Sequence, residues 1–203
     1  TGFPPYPFKA SKEGQKSRKF VFSKILENNM DKFLEFGSGY GGFALTISKY
    51  SGAEGICIDK DPDDINTLNK LAEINQIKCK GFIDDILNFG IDNESLDLIY
   101  SVEVMEHIEK DKELLEKSFK TLKKGGRFIF QTPFHYIQTI DETEHKYGHV
   151  RNGYNEDSFE KINKGLFNFK YYRVGIRDDT CKFCEEEYQK KHPLKLVGVG
   201  TKK

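Results

Sequence analysis

Apolar positions along this chain alternate between short continuous runs and longer stretches with helical spacing, a rhythm that predicts a parallel sheet covered by helices on both faces. Residues 12–29 place Val21, Phe22, Ile25 and Leu26 on one helical face, a flank or lid ahead of the first strand. Residues 31–36 read as a buried strand, 43–50 as the helix that follows, and 55–58 as the second strand. Asp61 is placed to cap the next helix, with Pro62 at its first position and Ile65, Leu68 and Ala72 as its apolar stripe. Strands are expected at 77–83 and 96–102, then a helix through Leu115, Phe119 and Leu122 that Gly125-Gly126 ends. Residues 127–131 form a fifth strand. Asn155 caps a helix bearing Phe159 and Ile162, and 169–176 with 194–200 supply two last strands as a hairpin.

Composition adds limits. With 203 residues, 37% of them hydrophobic, the chain suits one well-buried core: a helical flank at 1–30 and a single domain over 31–203. Lysine plus arginine and aspartate plus glutamate each total 32, so no global charge draws the chain to nucleic acid. No apolar run reaches the ~18 residues of a membrane span. Four cysteines without a secretory leader suit a reducing compartment, with the cytoplasm as the expected location. Nothing bears on oligomeric state.

The densest chemistry is Phe33-Leu-Glu-Phe-Gly-Ser-Gly-Tyr-Gly-Gly42. Between a strand and a helix, Gly37, Gly39 and Gly41 let the backbone turn tightly and approach a small ligand. Gly37, Gly39 and Gly42 also satisfy the spacing of dinucleotide-binding turns, with Asp59 22 residues beyond Gly37. Glu35 decides between cofactors. A carboxylate at the strand tip repels a pyrophosphate and attracts an amino group and a sulfonium, which points to S-adenosylmethionine.

Here the chain resembles the class I methyltransferases, whose first motif has this Glu/Asp-x-Gly-x-Gly-x-Gly form, and the resemblance runs from about residue 31 to the end. It implies a Rossmann-like fold: a mostly parallel seven-stranded sheet, helices on both faces and a C-terminal antiparallel hairpin. Ser38 and Gly39 of the turn then join Glu35 and Gly37 around the cofactor. Asp59, closing Gly55-Ile-Cys-Ile-Asp59, matches the family's acid for the ribose hydroxyls, with Lys60 beside it. Asp84-Asp85-Ile86 matches the segment in which one aspartate accepts from the adenine amino group and an apolar side chain packs on the ring, without indicating which aspartate. Ser101 and Val102 match the backbone that lines the methionine end.

Within Leu96 to Ile108 the chain is most similar to ubiquinone-type O-methyltransferases, which carry a similar Glu-x-x-Glu-His. Glu103, Glu106 and His107 at helical spacing suit a hard cation, but the favoured reading has no metal, Glu103 supporting cofactor or helix-start amides and His107 packing under the substrate loop. That loop, about 132–154, carries His135, Tyr136, His145, Tyr147, His149, Arg151 and Tyr154, and Gly148-His149-Val-Arg151 resembles a segment common in small-molecule methyltransferases. His149 or His107 is the candidate base for an acceptor hydroxyl, although both suit a structural tie and alignment alone supplies much of the rate. Cys181 and Cys184, with His192 beyond, form a weak zinc pattern and suit a surface turn, while Cys57 and Cys79 suit the core.

The expected function is methyl transfer from S-adenosylmethionine to a small organic acceptor, at a hydroxyl oxygen. The alternatives are methylation of RNA or protein, an NAD-dependent oxidoreductase, and a non-catalytic cofactor-binding subunit. The Asn/Asp-Pro-Pro-Tyr/Phe motif of amino-directed nucleic-acid methyltransferases is missing; Ser101-Val-Glu-Val104 stands in its place.

Overall fold

The structure is a computed structural model and describes residues 12–135, 148–177 and 192–203. Its elements run α1 (Lys12–Ile25), β1 (Lys32–Phe36), α2 (Gly42–Ser51), β2 (Glu54–Asp59), α3 (Pro62–Ile74), β3 (Cys79–Ile83), β4 (Leu96–Val102), a 3-10 turn (Met105–His107) and α4 (Asp111–Thr121). They continue with β5 (Leu122–Pro133), α5 (Glu156–Asn163), β6 (Phe167–Arg177) and β7 (His192–Lys202). The seven strands form one sheet in the order β3-β2-β1-β4-β5-β7-β6. Strands β1 to β5 pair in parallel, and β7 lies antiparallel between β5 and β6, as the sequence predicts.

Alternation along the strands fills a core on each face. Phe33, Leu98, Tyr100 and Ile129 pack with α1, α2 and α3 through Val21, Phe22, Ile47 and Leu68. Leu34, Ile99, Phe128 and Phe130 pack with α4 and α5 through Leu114, Leu115 and Phe159, where Phe130 and Phe159 stack at 3.9 Å. Sheet order reverses between β1 and β4, so a crevice opens at their carboxyl ends, the general ligand position in open α/β sheets.

The caps follow expectation. Asp61 accepts from the Asp63 and Asp64 amides, and Asn155 makes a reciprocal capping box with Ser158. Three boundaries differ. α1 stops at Ile25, because the Arg127 guanidinium donates to the Lys24 and Ile25 carbonyls at 2.7 and 2.9 Å and satisfies that end. β3 starts at Cys79 because Gln76 turns left-handed (φ 52°) and the Ile77 amide still bonds the Ala72 carbonyl. The glycines at 125 and 126 do not end α4: Leu122 already pairs with Leu96 in the sheet, and Gly125 (φ 76°) lies in a bulge before Leu98 pairs with Arg127. Among the described residues no helix is long and apolar enough to cross a membrane.

Candidate active site

Two cavities occupy the crevice, and among the described residues Gly37 belongs to both walls. The larger, about 430 Å³, is lined by Ile58, Asp59 and Lys60 after β2, by residues 84–87 after β3, and by Val104 and His107 after β4. The smaller, about 190 Å³, is lined by Glu35 and the glycine turn, by Val102, and by Arg18 of α1 and Asp64 of α3. Gly37 stands at φ 65°, and a Cβ there would lie 2.3 Å from the Val104 side chain, so the position accepts only glycine.

In the larger cavity the carboxylates are partly exposed and fixed by backbone. Asp59 accepts from the Gly39 amide at 2.7 Å and the Asp61 amide at 3.1 Å, which ties the glycine turn to β2. Asp85 pairs with Lys60 at 2.8 Å and accepts from the Leu87 amide. The hydrogen bond from Lys60 holds its carboxyl below the usual range, opposing burial. Asp84 accepts from the Asp85 amide through one oxygen. Ile86 is buried in the wall beside them.

In the smaller cavity Glu35 is 3% exposed and accepts from the Ala44 amide at 3.1 Å and the Tyr100 hydroxyl at 3.0 Å. Burial pushes its carboxyl up to about 8 despite those two donors. Ser38 is buried in the same wall. The Ser101 side chain is fully buried and lines neither cavity, because side chains alternate along β4 and Val102 points to the crevice side.

Glu103 departs from the helical face expected for it. It sits outside the 3-10 turn in the left-handed region (φ 60°), accepting from Gln131 at 3.0 Å and from the Lys195 ammonium. The set brought together is Glu106, His107 and His149, whose candidate ligand atoms lie within 4.8 Å of one another. Glu106 is buried and accepts from the Thr132 hydroxyl at 3.1 Å, and burial followed by the Glu103 charge pushes its carboxyl up to about 8. His107 faces the Gly148 carbonyl through Nδ1 at 3.1 Å, which places the proton on Nδ1 and the lone pair on Nε2. The two imidazoles meet edge to face at 4.5 Å, and burial followed by His107 lowers the pKa of His149.

Three other loop candidates make hydrogen bonds within the fold. Arg151 donates to the Met105 and Ile108 carbonyls at 3.0 and 2.6 Å, Tyr154 donates to Asp111 at 2.9 Å, and buried His135 meets Asn152 at 2.9 Å. Tyr136, His145, Tyr147, Cys181 and Cys184 lie outside the described residues. Two wall residues escaped the sequence reading, Arg18 of the smaller cavity and Val104 of the larger, although the two-residue spacing of Val104 from Val102 was a usable signal.

The chain matches the family described as methyltransferase domain over residues 10–172. It is 31% identical over 121 residues to phosphoethanolamine N-methyltransferase of Plasmodium falciparum, covering 59% of this chain and 45% of that one. With sterol 24-C-methyltransferase of Kluyveromyces lactis it shares 30% identity over 128 residues, covering 60% of this chain and 33% of that one. The chain thus spans less than half the length of these relatives. Phosphoethanolamine N-methyltransferase 2 of Haemonchus contortus, solved in complex with S-adenosyl-L-methionine, superposes with a TM-score of 0.73 at 15% identity, over 92% of this chain and 52% of that one, a likeness of fold.

Proposed function

This chain belongs to the methyltransferase-domain family, and we propose that it moves a methyl group from S-adenosylmethionine to the hydroxyl oxygen of a small organic acceptor. The observation that carries this reading is the pair of cavities meeting at Gly37, one walled by Asp59 and Asp84, the other by Glu35 and Arg18. Their donor and acceptor sets match a nucleoside joined to an amino acid: carboxylates for the ribose diol and the adenine amino group, a carboxylate for the ammonium, a guanidinium for the carboxylate. Lys60, Asp85, Ile86, Ser38, Gly39 and Val102 complete the walls. When bound, S-adenosylmethionine supplies a methyl group on a cationic sulfur, and the C–S bond breaks as the acceptor's lone pair forms the new bond.

The remaining chemistry belongs to the chain. Helix α1 acts as a flank or lid, and residues 148–154 at the described end of the loop shape the acceptor's approach. His107, oriented by the Gly148 carbonyl, offers Nε2 to the hydroxyl proton, with His149 beside it as the second candidate. The relatives' names fit a small acceptor: phosphoethanolamine in one, a sterol in another. Titration calorimetry with S-adenosylmethionine and with NAD tests the cofactor, and turnover on a panel of phenols, alcohols and amines tests the acceptor. Heat of binding from NAD alone, or transfer confined to RNA or protein, would refute this reading.

A further inference from the structure

Resting on the reading of His107 as a base, we propose that Arg151 is a positioning residue. Its guanidinium grips the backbone on both sides of His107 and so fixes the Gly148 carbonyl, which decides which imidazole nitrogen keeps a lone pair for the acceptor.

His107 ends a 3-10 turn of three residues, and so short a turn holds a side chain's direction weakly by itself. Arg151 adds the missing restraint. Its guanidinium donates to the Met105 carbonyl at 3.0 Å and the Ile108 carbonyl at 2.6 Å, one on each side of His107 in the chain. Asp111 lies 3.4 Å from the same group, and the Tyr154 ring faces it at 5.3 Å, so its charge and its flat face are both met.

The backbone of the same segment supplies a second tie. The Val150 and Arg151 amides both donate to the Glu106 carbonyl, at 3.0 and 3.3 Å. One shared acceptor makes a pivot, about which the segment could turn. The guanidinium is the second point of attachment, and two points fix how residues 148–151 lie against the 3-10 turn. The consequence falls on Gly148, whose carbonyl meets His107 Nδ1 at 3.1 Å. A carbonyl only accepts, so Nδ1 keeps the proton and Nε2 the lone pair. A histidine released into water prefers the opposite tautomer, with the proton on Nε2. Without the guanidinium the segment turns about Glu106, the Gly148 carbonyl leaves, and the nitrogen offered to the acceptor becomes a donor.

The test is the imidazole nitrogen spectrum of the full chain, labelled with nitrogen-15 and recorded in alkaline buffer, with the His107 signals identified by their loss in His107→Gln. The unaltered protein should show the proton on Nδ1. Arg151→Met should move it to Nε2, whereas Lys112→Met, at an exposed lysine of α4, should leave it on Nδ1. A role confined to fold stability would lower the melting temperature without changing the tautomer of the folded protein. If circular dichroism shows Arg151→Met unfolded, Arg151→Gln is read in the same way. A proton on Nε2 in the unaltered protein, or on Nδ1 in every folded Arg151 variant, overturns the proposal. His107→Gln should lower turnover on the best acceptor of the panel by at least about 100-fold. Undiminished turnover refutes the base reading, and the inference falls with it even where the tautomer shifts.

Discussion

The two chambers that meet at Gly37 use the same functional group in opposite ways. In the larger one Asp59, Asp84 and Asp85 are partly exposed, and backbone amides and Lys60 hold them. In the smaller one Glu35 is walled in by Tyr100 and α2 and held near a pKa of about 8, so its charge costs free energy until a cation arrives. The comparison separates two tasks. Partly exposed carboxylates fix geometry at little electrostatic cost, while the desolvated one responds to the charge of whatever enters.

The change expected to act most strongly on both chambers is Gly37→Ala. Its Cβ meets Val104 at 2.3 Å in a left-handed backbone, and the strain and clash together should reduce S-adenosylmethionine affinity by roughly 100-fold in calorimetry. Glu35→Gln separates the chambers next, costing about 1–3 kcal/mol of binding. Since the ligand's ammonium pairs with the ionised carboxylate, affinity of the unaltered protein should climb as pH rises towards about 8 and fall once the ammonium, an α-amino group of pKa about 8, loses its proton, and the glutamine variant should lack the rise. Stability runs the other way. The raised folded-state pKa makes Glu35's contribution fully present below the unfolded value of about 4.5 and lost as pH passes about 8. The unaltered protein should therefore lose melting temperature relative to Glu35→Gln between pH 5 and 9. A pH-independent difference would show that Glu35 is not the titrating group.

Asp59→Asn acts mainly in the larger chamber and should weaken binding by about 1–2 kcal/mol, and because the Asp59 charge is the last of the causes raising Glu35, the pH profile should move only slightly downward. The smallest effect belongs to Lys60→Met. Its ion pair with Asp85 is at the surface, so affinity should shift by less than about 0.5 kcal/mol, and a larger shift would place Lys60 against the ligand itself.

Much of this site is legible in the sequence because strand ends and helix starts are local signals. The glycine turn, Asp59 at the tip of β2 and the Asp61-Pro62 cap need only neighbours in the chain. What escapes is set by distant partners. Arg18 counts as a site residue only because α1 packs beside the glycine turn, and Arg127 cuts that helix short from over 100 positions away in the chain. Glu103 resisted reading for the same reason. Helical spacing assumes a helix, whereas Gln131 of β5 and Lys195 of β7 hold the residue in a turn. The bulge at Gly125 hid behind a pattern that also suits a helix terminus.

The two methyls of Val104 occupy the space that any side chain at residue 37 would need, so the wall shared by the two chambers is fixed by one close contact between a bare backbone and a branched side chain. Trimming Val104 to alanine would loosen that wall without moving any polar group of the cleft.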